Sequence, residues 1–318
     1  MNLKKLSFPL IITSLLSSSC SGGGNPYSLD LEYKPNFKIL WLTDIHYGPE
    51  ADTKSQEEFA HLDKIIKDAE QPDLIIITGD SFRQANKSHV NEFFSFIDSY
   101  GIKWAFTFGN HDQETFQDSP DFISEEIAKC KNKVYYDNPK DNIYGKANYY
   151  INLKSGGKTI YRLYLTDSNA DFNGGYDVIH EDQLKHMEQI AENNKDSAVN
   201  LVFIHIPLFQ FQSAWDGYKL GLYQGQGQNN ETCCIPYIDN GAYQVFKKIG
   251  IKACFAGHDH LNYADIDYKG EMILSYGLKA NDLDYHDDAI CGYKIISLPE
   301  DSNSFGLKDI QMHSLLMK

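Results

Sequence analysis

Positive charge is scarce in this chain: 29 lysines and arginines face 44 aspartates and glutamates, a formal charge of −15. That balance argues against nucleic acid as a partner, because a nucleic-acid surface needs a basic patch to neutralise phosphates. Length for a membrane span is missing as well. The apolar stretch Phe8 to Leu16 is too short to cross a bilayer as a helix. Six cysteines occur without any C-x-x-C spacing, which excludes a cysteine-based zinc site of that type. Internal repeats are absent. What is plentiful is apolar and aromatic side chain, 42% and 13% of the residues, enough in a chain of 318 residues for one large domain or two ordinary ones.

The N-terminus has the parts of an export segment: Lys4 and Lys5, the apolar stretch, and the small residues Ser17 to Ser19 before Cys20. It resembles a bacterial lipoprotein signal, in which residues 1–19 are removed and Cys20 carries lipid. Ser17 stands where leucine is usual, and ordinary secretion is the alternative. The resemblance implies an exported protein of the cell envelope, held on its membrane through Cys20, on the periplasmic side or the surface. Residues 20–36, with Gly22, Gly23 and Gly24, read as the lipidated cysteine and a flexible tether, and 37–318 as the folded domain. Loss of Lys4 and Lys5 leaves 27 basic against 44 acidic residues, a mature charge of −17. Cys130, Cys233, Cys234, Cys254 and Cys291 remain; in an oxidising compartment the odd count leaves at least one free thiol or an intermolecular bond, and the adjacent Cys233 and Cys234 are the expected disulfide donors, to different partners.

Short apolar runs alternate with amphipathic segments, the pattern of an α/β domain. Strands are expected at Phe37 to Thr43, Asp73 to Thr78, Lys103 to Phe108, Asn200 to Ile204 and Ile251 to Ala256. Helices are expected at Ser55 to Ala69, Val90 to Tyr100, Phe122 to Lys129, Glu181 to Glu192 and Tyr243 to Ile249. A hairpin, Asn148 to Leu153 and Thr159 to Thr166, surrounds Ser155, Gly156 and Gly157, and further β segments lie at Tyr263 to Tyr268, Glu271 to Tyr276, Tyr293 to Leu298 and Gly306 to Gln311. Pro207 to Asn240 has no clear period and reads as a long functional insertion. Its Phe209, Phe211, Trp215, Tyr218 and Tyr223 either line a pocket for a leaving group or cover the core.

The chemistry lies just past the carboxyl end of each strand. Asp44 and His46 succeed the first; Gly79 and Asp80 the second; Gly109, Asn110, His111 and Asp112 the third; His205 the fourth; and Gly257, His258, Asp259 and His260 the fifth. In α/β sheets such positions share one edge, where sites form. A lone aspartate there is commonly a turn or cap residue and a lone histidine a structural one. The conjunction decides otherwise: five histidines occupy these strand ends, while His61, His89, His180, His186, His286 and His313 are left as surface or packing residues.

Asp44-Ile45-His46, Gly79-Asp80, Gly109-Asn110-His111-Asp112, His205 and Gly257-His258-Asp259-His260 resemble, in order, the five signatures of calcineurin-like metallophosphoesterases. The likeness covers residues 37–318 and implies a four-layer αββα sandwich, two central mixed β-sheets flanked by helices. It is closest to the branch related to purple acid phosphatases. Leu165-Thr166-Asp167-Ser168, Glu231 before Cys233 and Cys234, Asn262 and Tyr276-Gly277 are further likenesses. One departure stands out: purple enzymes place tyrosine three residues after the bridging aspartate, and this chain has Arg83. An iron–tyrosinate colour is therefore not expected.

The resemblance implies that Asp44, His46, Asp80 and His260 hold one metal ion, and that Asp80, Asn110, His205 and His258 hold the other. Mixed N/O ligands suit divalent or mixed-valence Fe, Mn or Zn rather than Ca or Mg. The implied reaction is hydrolysis of a small phosphate monoester by a metal-activated hydroxide, with His111 as general acid and Asp112 orienting its ring. Asp259 reads as a loop carboxylate. A phosphodiesterase or nucleotidase is the alternative within enzymes, and an inactive metal-dependent binding lipoprotein the alternative outside them. No obligate protein partner is evident.

Overall fold

The computed structural model describes residues 27–138 and 143–315. The export segment, Cys20 and the first part of the tether lie outside the described residues, and the expectations placed on them are neither met nor refused by the fold. Among the described residues, two large sheets dominate. The smaller has five strands in the order Ile310–Ser314, Gly292–Leu298, Phe37–Leu42, Leu74–Thr78 and Lys103–Thr107, the last three parallel to one another. The larger has eight, in the order Ser28–Glu32, Tyr149–Ser155, Lys158–Leu165, Val199–Phe203, Ile251–Ala256, Met272–Tyr276, Asn262–Tyr268 and Gln224–Asn229. Both sheets mix parallel and antiparallel pairs.

Strand periodicity explains the layering, since alternate side chains leave a strand on opposite faces. Leu201, Phe203, Ala253 and Phe255 join the core between the sheets, whereas Val202, Ile204, Cys254 and Ala256 join a second core on the outer face of the larger sheet. That first cluster continues through the smaller sheet to its outer face, where the helices Pro49–Asp68, Lys87–Ser99 and Ser119–Lys129 supply Leu62, Phe93 and Ile127. The helices Glu181–Asn193, Gln210–Lys219 and Ala242–Lys248 supply Met187, Phe211 and Phe246 to the second. Trp41 bridges the sheets, its ring 5.2 Å from Phe255 and 6.4 Å from Phe203. The result is the αββα sandwich expected from the resemblance.

Three expectations are corrected. Residues 28–32, assigned to the tether, form an edge strand parallel to Tyr149–Ser155, where Asp30 accepts from Asn152 and Lys154 side chains. The stretch read as an aperiodic insertion contains the helix Gln210–Lys219 and the strand Gln224–Asn229. That strand, Gln-Gly-Gln-Gly-Gln-Asn, carries no apolar residue because it closes a sheet edge, so no hydrophobic alternation marked it. The final strand is Ile310–Ser314, not Gly306 to Gln311, because a 3₁₀ turn occupies Leu307–Asp309.

All five described cysteines are free thiols, against the expected disulfides from Cys233 and Cys234. Cys233 is buried beside Asn229, and Cys291 donates to the carbonyl of Asn281. They behave as small core residues. No described helix is long and apolar enough to cross a membrane.

Candidate metal centre

The first two strands of the parallel trio end in loops that zip together: the amide of Asp44 donates to Gly79 O, that of His46 to Asp80 O and that of Tyr47 to Ser81 O. This pairing forces unusual backbone. Asp44, His46 and Asp80 take φ of 55°, 57° and 47°, and His258 takes 83°. Left-handed conformations at non-glycine residues cost about 1–3 kcal/mol each and persist where the surroundings over-determine them. Here Lys279 Nζ donates to Asp44 O at 2.9 Å, and Asn281 Nδ2 donates to Ile45 O. Gly79, at φ 83°, lies so close to the backbone of Gly109 that a Cβ would collide with it.

These loops bring all seven expected ligand residues together, each of them buried. Ligand atoms of Asp44, His46 and His260 lie within 4.8 Å of one another, and so do those of Asp80, His205 and His258. Asp80 joins the two groups: its Oδ2 is 3.5 Å from His46 Nε2 and 3.1 Å from His205 Nε2. Asn110 opens the short helix Asn110–Glu114 on the wall of the same cavity. A third group, His46, Asp80 and His111, is equally close-set.

Polar satisfaction tests whether these residues fit metal ions. A buried polar atom without a partner costs about 1–3 kcal/mol, yet both ring nitrogens of His46, Nε2 of His258 and Oδ1 of Asn110 have no hydrogen-bond partner. Meanwhile the far sides of their neighbours are secured. His205 Nδ1 lies 2.8 Å from Thr78 O, and His260 Nδ1 lies 3.0 Å from Tyr285 O, leaving each Nε2 toward the cluster. Asp44 accepts from Thr43 Oγ1 and from the amide of His258. Orphaned lone pairs beside two carboxylates, with the outer atoms tied down, match a cation site in donor type and arrangement.

The electrostatics agree. Burial, followed by repulsion from Lys279, holds His46 and His260 below the ordinary histidine range. Burial and the neighbouring His205 bring His258 down to about 3. Burial opposes charge on His205, but Asp80 and Asp44 outweigh it and push its pKa up to about 10. Burial would raise Asp80, yet His205 and His46 hold it well below the carboxylate range. Three neutral imidazoles are in the form that donates to a metal, and the fourth holds a proton where a cation would otherwise balance Asp80.

Asp112 does not orient His111. Its carboxylate, raised to about 8 by burial and by Asp80, accepts instead from the amides of Phe82 and Gly109 and so braces the loops. Glu114 takes the place expected of it, with Oε1 2.9 Å from His111 Nδ1. Asp259 is the loop carboxylate expected, accepting from Cys234 N and Asn262 Nδ2. The six other histidines stay outside: His89, for example, caps a helix by accepting from Asn86 N, and His313 stacks on Tyr293.

The centre opens into a cavity of about 640 Å³. Tyr176, Tyr237 and Tyr285 line it; Phe209, Phe211, Trp215, Tyr218 and Tyr223 do not, and the last four of these cover the second core. Tyr176 meets His258 edge-on at 4.2 Å, and Tyr285 stacks on His260 at 4.2 Å. Sequence reasoning missed these tyrosines, Glu114 and Asp284. The dense acidic run Asp282 to Asp288 was the available signal for Asp284 and Tyr285, and the stretch 207–240, read as a functional insertion, that for Tyr237; Tyr176 and Glu114 had none.

Comparison with known proteins adds four findings. The calcineurin-like phosphoesterase family matches residues 37–262. An uncharacterized protein of Schizosaccharomyces pombe is 28% identical over 262 residues, 73% of this chain and 47% of that protein. Probable inactive purple acid phosphatase 28 of Arabidopsis thaliana is 27% identical over 273 residues, 71% of this chain and 66% of that protein. The chain therefore spans between about half and two thirds of these relatives. A crystal structure from Thermus thermophilus overlays with a TM-score of 0.49 at 8% identity, over 88% of this chain and 99% of that one.

Proposed function

The chain belongs to the calcineurin-like phosphoesterases, and from that premise we propose that it hydrolyses phosphate monoesters at a dinuclear metal centre. Asp44, His46, Asp80 and His260 would hold one ion, and Asp80, Asn110, His205 and His258 the other. The observation that carries this reading is the set of orphaned buried atoms on His46, Asn110 and His258, gathered around two carboxylates. The chemistry supplied by two Fe, Mn or Zn ions there is polarisation of the phosphoryl group and acidification of water.

The chain's own residues do the rest. His111 stands part-exposed on the cavity wall, its amide donating to Asp80 Oδ1 at 2.9 Å and its Nδ1 against Glu114. It is placed to protonate the leaving alkoxide from Nε2, with Glu114 accepting Nδ1–H and steadying the ring as that proton is given. Tyr176, Tyr237 and Tyr285 provide an apolar wall for the organic part of the ester. The substrate is a small phosphate ester, and we place the protein on the envelope membrane through Cys20.

A second reading has one observation in its favour: the Arabidopsis relative is named as probably inactive. On that reading the chain is a metal-dependent binding lipoprotein. Elemental analysis of purified protein, with phosphate release from mono- and diesters, separates the two. Asp80→Asn and His205→Ala are expected to remove most activity and bound metal while leaving the fold. More than about a tenth of the wild-type rate at saturating metal would refute the assignment, since two-metal activation is worth several kcal/mol.

A further inference from the structure

The cavity wall carries a single lysine or arginine among the described residues, Arg83, and the ligand set does not use it. Its backbone is fixed: the amide reaches Tyr47 O at 3.4 Å, and Gly48 packs against its carbonyl too closely for any Cβ. The side chain is free to face solvent, 38% exposed, on the wall shared with Asp80, Asn110 and His111. Its guanidinium pairs with Asp284, and the same Asp284 oxygen lies 3.4 Å from His46 Nδ1. The cation is thus one carboxylate away from a ring of the metal centre.

Resting on the monoesterase reading, we propose that Arg83 determines specificity by binding the phosphoryl dianion. A monoester presents three non-bridging oxygens and close to two negative charges; a diester presents two oxygens and one charge. With His111 committed to the leaving group and Asn110 to the metal centre, the additional oxygen and charge call for a cationic partner on this wall, and Arg83 is the lysine or arginine there. A guanidinium has five N–H donors in a planar fork, so pairing with Asp284 leaves others for a second anion. Asp171, Glu114 and Asp284 on the remaining wall disfavour further anionic groups in the substrate.

The test uses the full chain loaded with metal and two esters sharing a leaving group, p-nitrophenyl phosphate and bis-p-nitrophenyl phosphate. Arg83→Gln is expected to lower kcat/KM on the monoester by about tenfold or more, the range for a hydrogen bond to a charged group, and on the diester by about twofold or less. Arg83→Lys, retaining charge without the fork, should fall between. Calorimetry with inorganic phosphate should show Kd weakened by a similar factor in Arg83→Gln, with metal content unchanged. Equal losses on both esters, accompanied by lost metal, would mean that Arg83 only steadies Asp284 and His46, and would overturn the proposal. Should the wild type cleave neither ester, the phosphatase reading fails, yet the phosphate titration still decides: a weakened Kd in Arg83→Gln supports the proposal, and an unchanged Kd or no binding by the wild type ends it.

Discussion

His111 and Glu114 illustrate how a residue's role depends on a neighbour that sequence order hides. Asp112, adjacent to His111, points its carboxylate into two backbone amides, and Glu114, one helical turn on, meets the ring. His111→Ala should slow esters of poor alkoxide leaving groups much more than activated aryl phosphates, as a general acid requires. Glu114→Gln should slow the same alkyl esters in the same direction but less. Equal slowing of alkyl and aryl substrates by His111→Ala would assign it to phosphate binding instead. That the residues expected as ligands would converge was legible because each follows a strand, and such positions share one edge of an α/β sheet. Arg83 was legible only as a departure from a resemblance; that it reaches the cavity required the fold of the acidic run around Asp284.

At the scale of elements, the apolar strands and amphipathic helices were readable because burial on one or both faces imposes a period. Where a strand is not buried that signal fails, as in Gln224–Asn229, and where it is short and mixed, as in Ser28–Glu32, composition pointed to a tether. One interior contact was not readable at all. Lys294 of the smaller sheet and Asp265 of the larger are both fully buried, Nζ to Oδ1 2.7 Å, with Ser275 and Ala264 O completing the lysine's partners. This polar rivet joins the sheets beside Trp41, over whose ring the ammonium sits at 5.7 Å. Removing one partner strands the other charge, so Lys294→Met should cost about 3–5 kcal/mol in urea unfolding, and Lys294→Met with Asp265→Leu should recover at least half of it. A loss under about 1 kcal/mol for the single variant would show that the pair is not held dry.

At the scale of the whole molecule, the family assignment and the sandwich came from residues spread over five strand ends, whereas the attachment to a membrane rests on the N-terminal segment alone. Acyl chains contribute about 0.8 kcal/mol per buried CH₂, and stable anchoring takes more than one chain, so a multiply acylated Cys20 would partition firmly. Cys20→Ala should shift the protein from the membrane fraction to the soluble one, or block its processing, with the specific activity of the domain unchanged. A wild-type protein found soluble, with some other N-terminal residue, would replace the lipoprotein reading by simple secretion.

The edge strand Ser28–Glu32 would give the proposed attachment a direction. It runs parallel to Tyr149–Ser155, which is antiparallel to Lys158–Leu165, which in turn is parallel to Val199–Phe203, the strand leading to His205. The chain therefore enters the domain at the end of the sheet where the candidate ligand residues gather, three strand spacings or about 14 Å to the side. Six residues separate Cys20 from Tyr27, seven chain steps and a leash of at most about 25 Å. Tied at Cys20, the domain would hang with its mouth near the bilayer rather than facing away from it, within reach of esters that never leave the lipid surface.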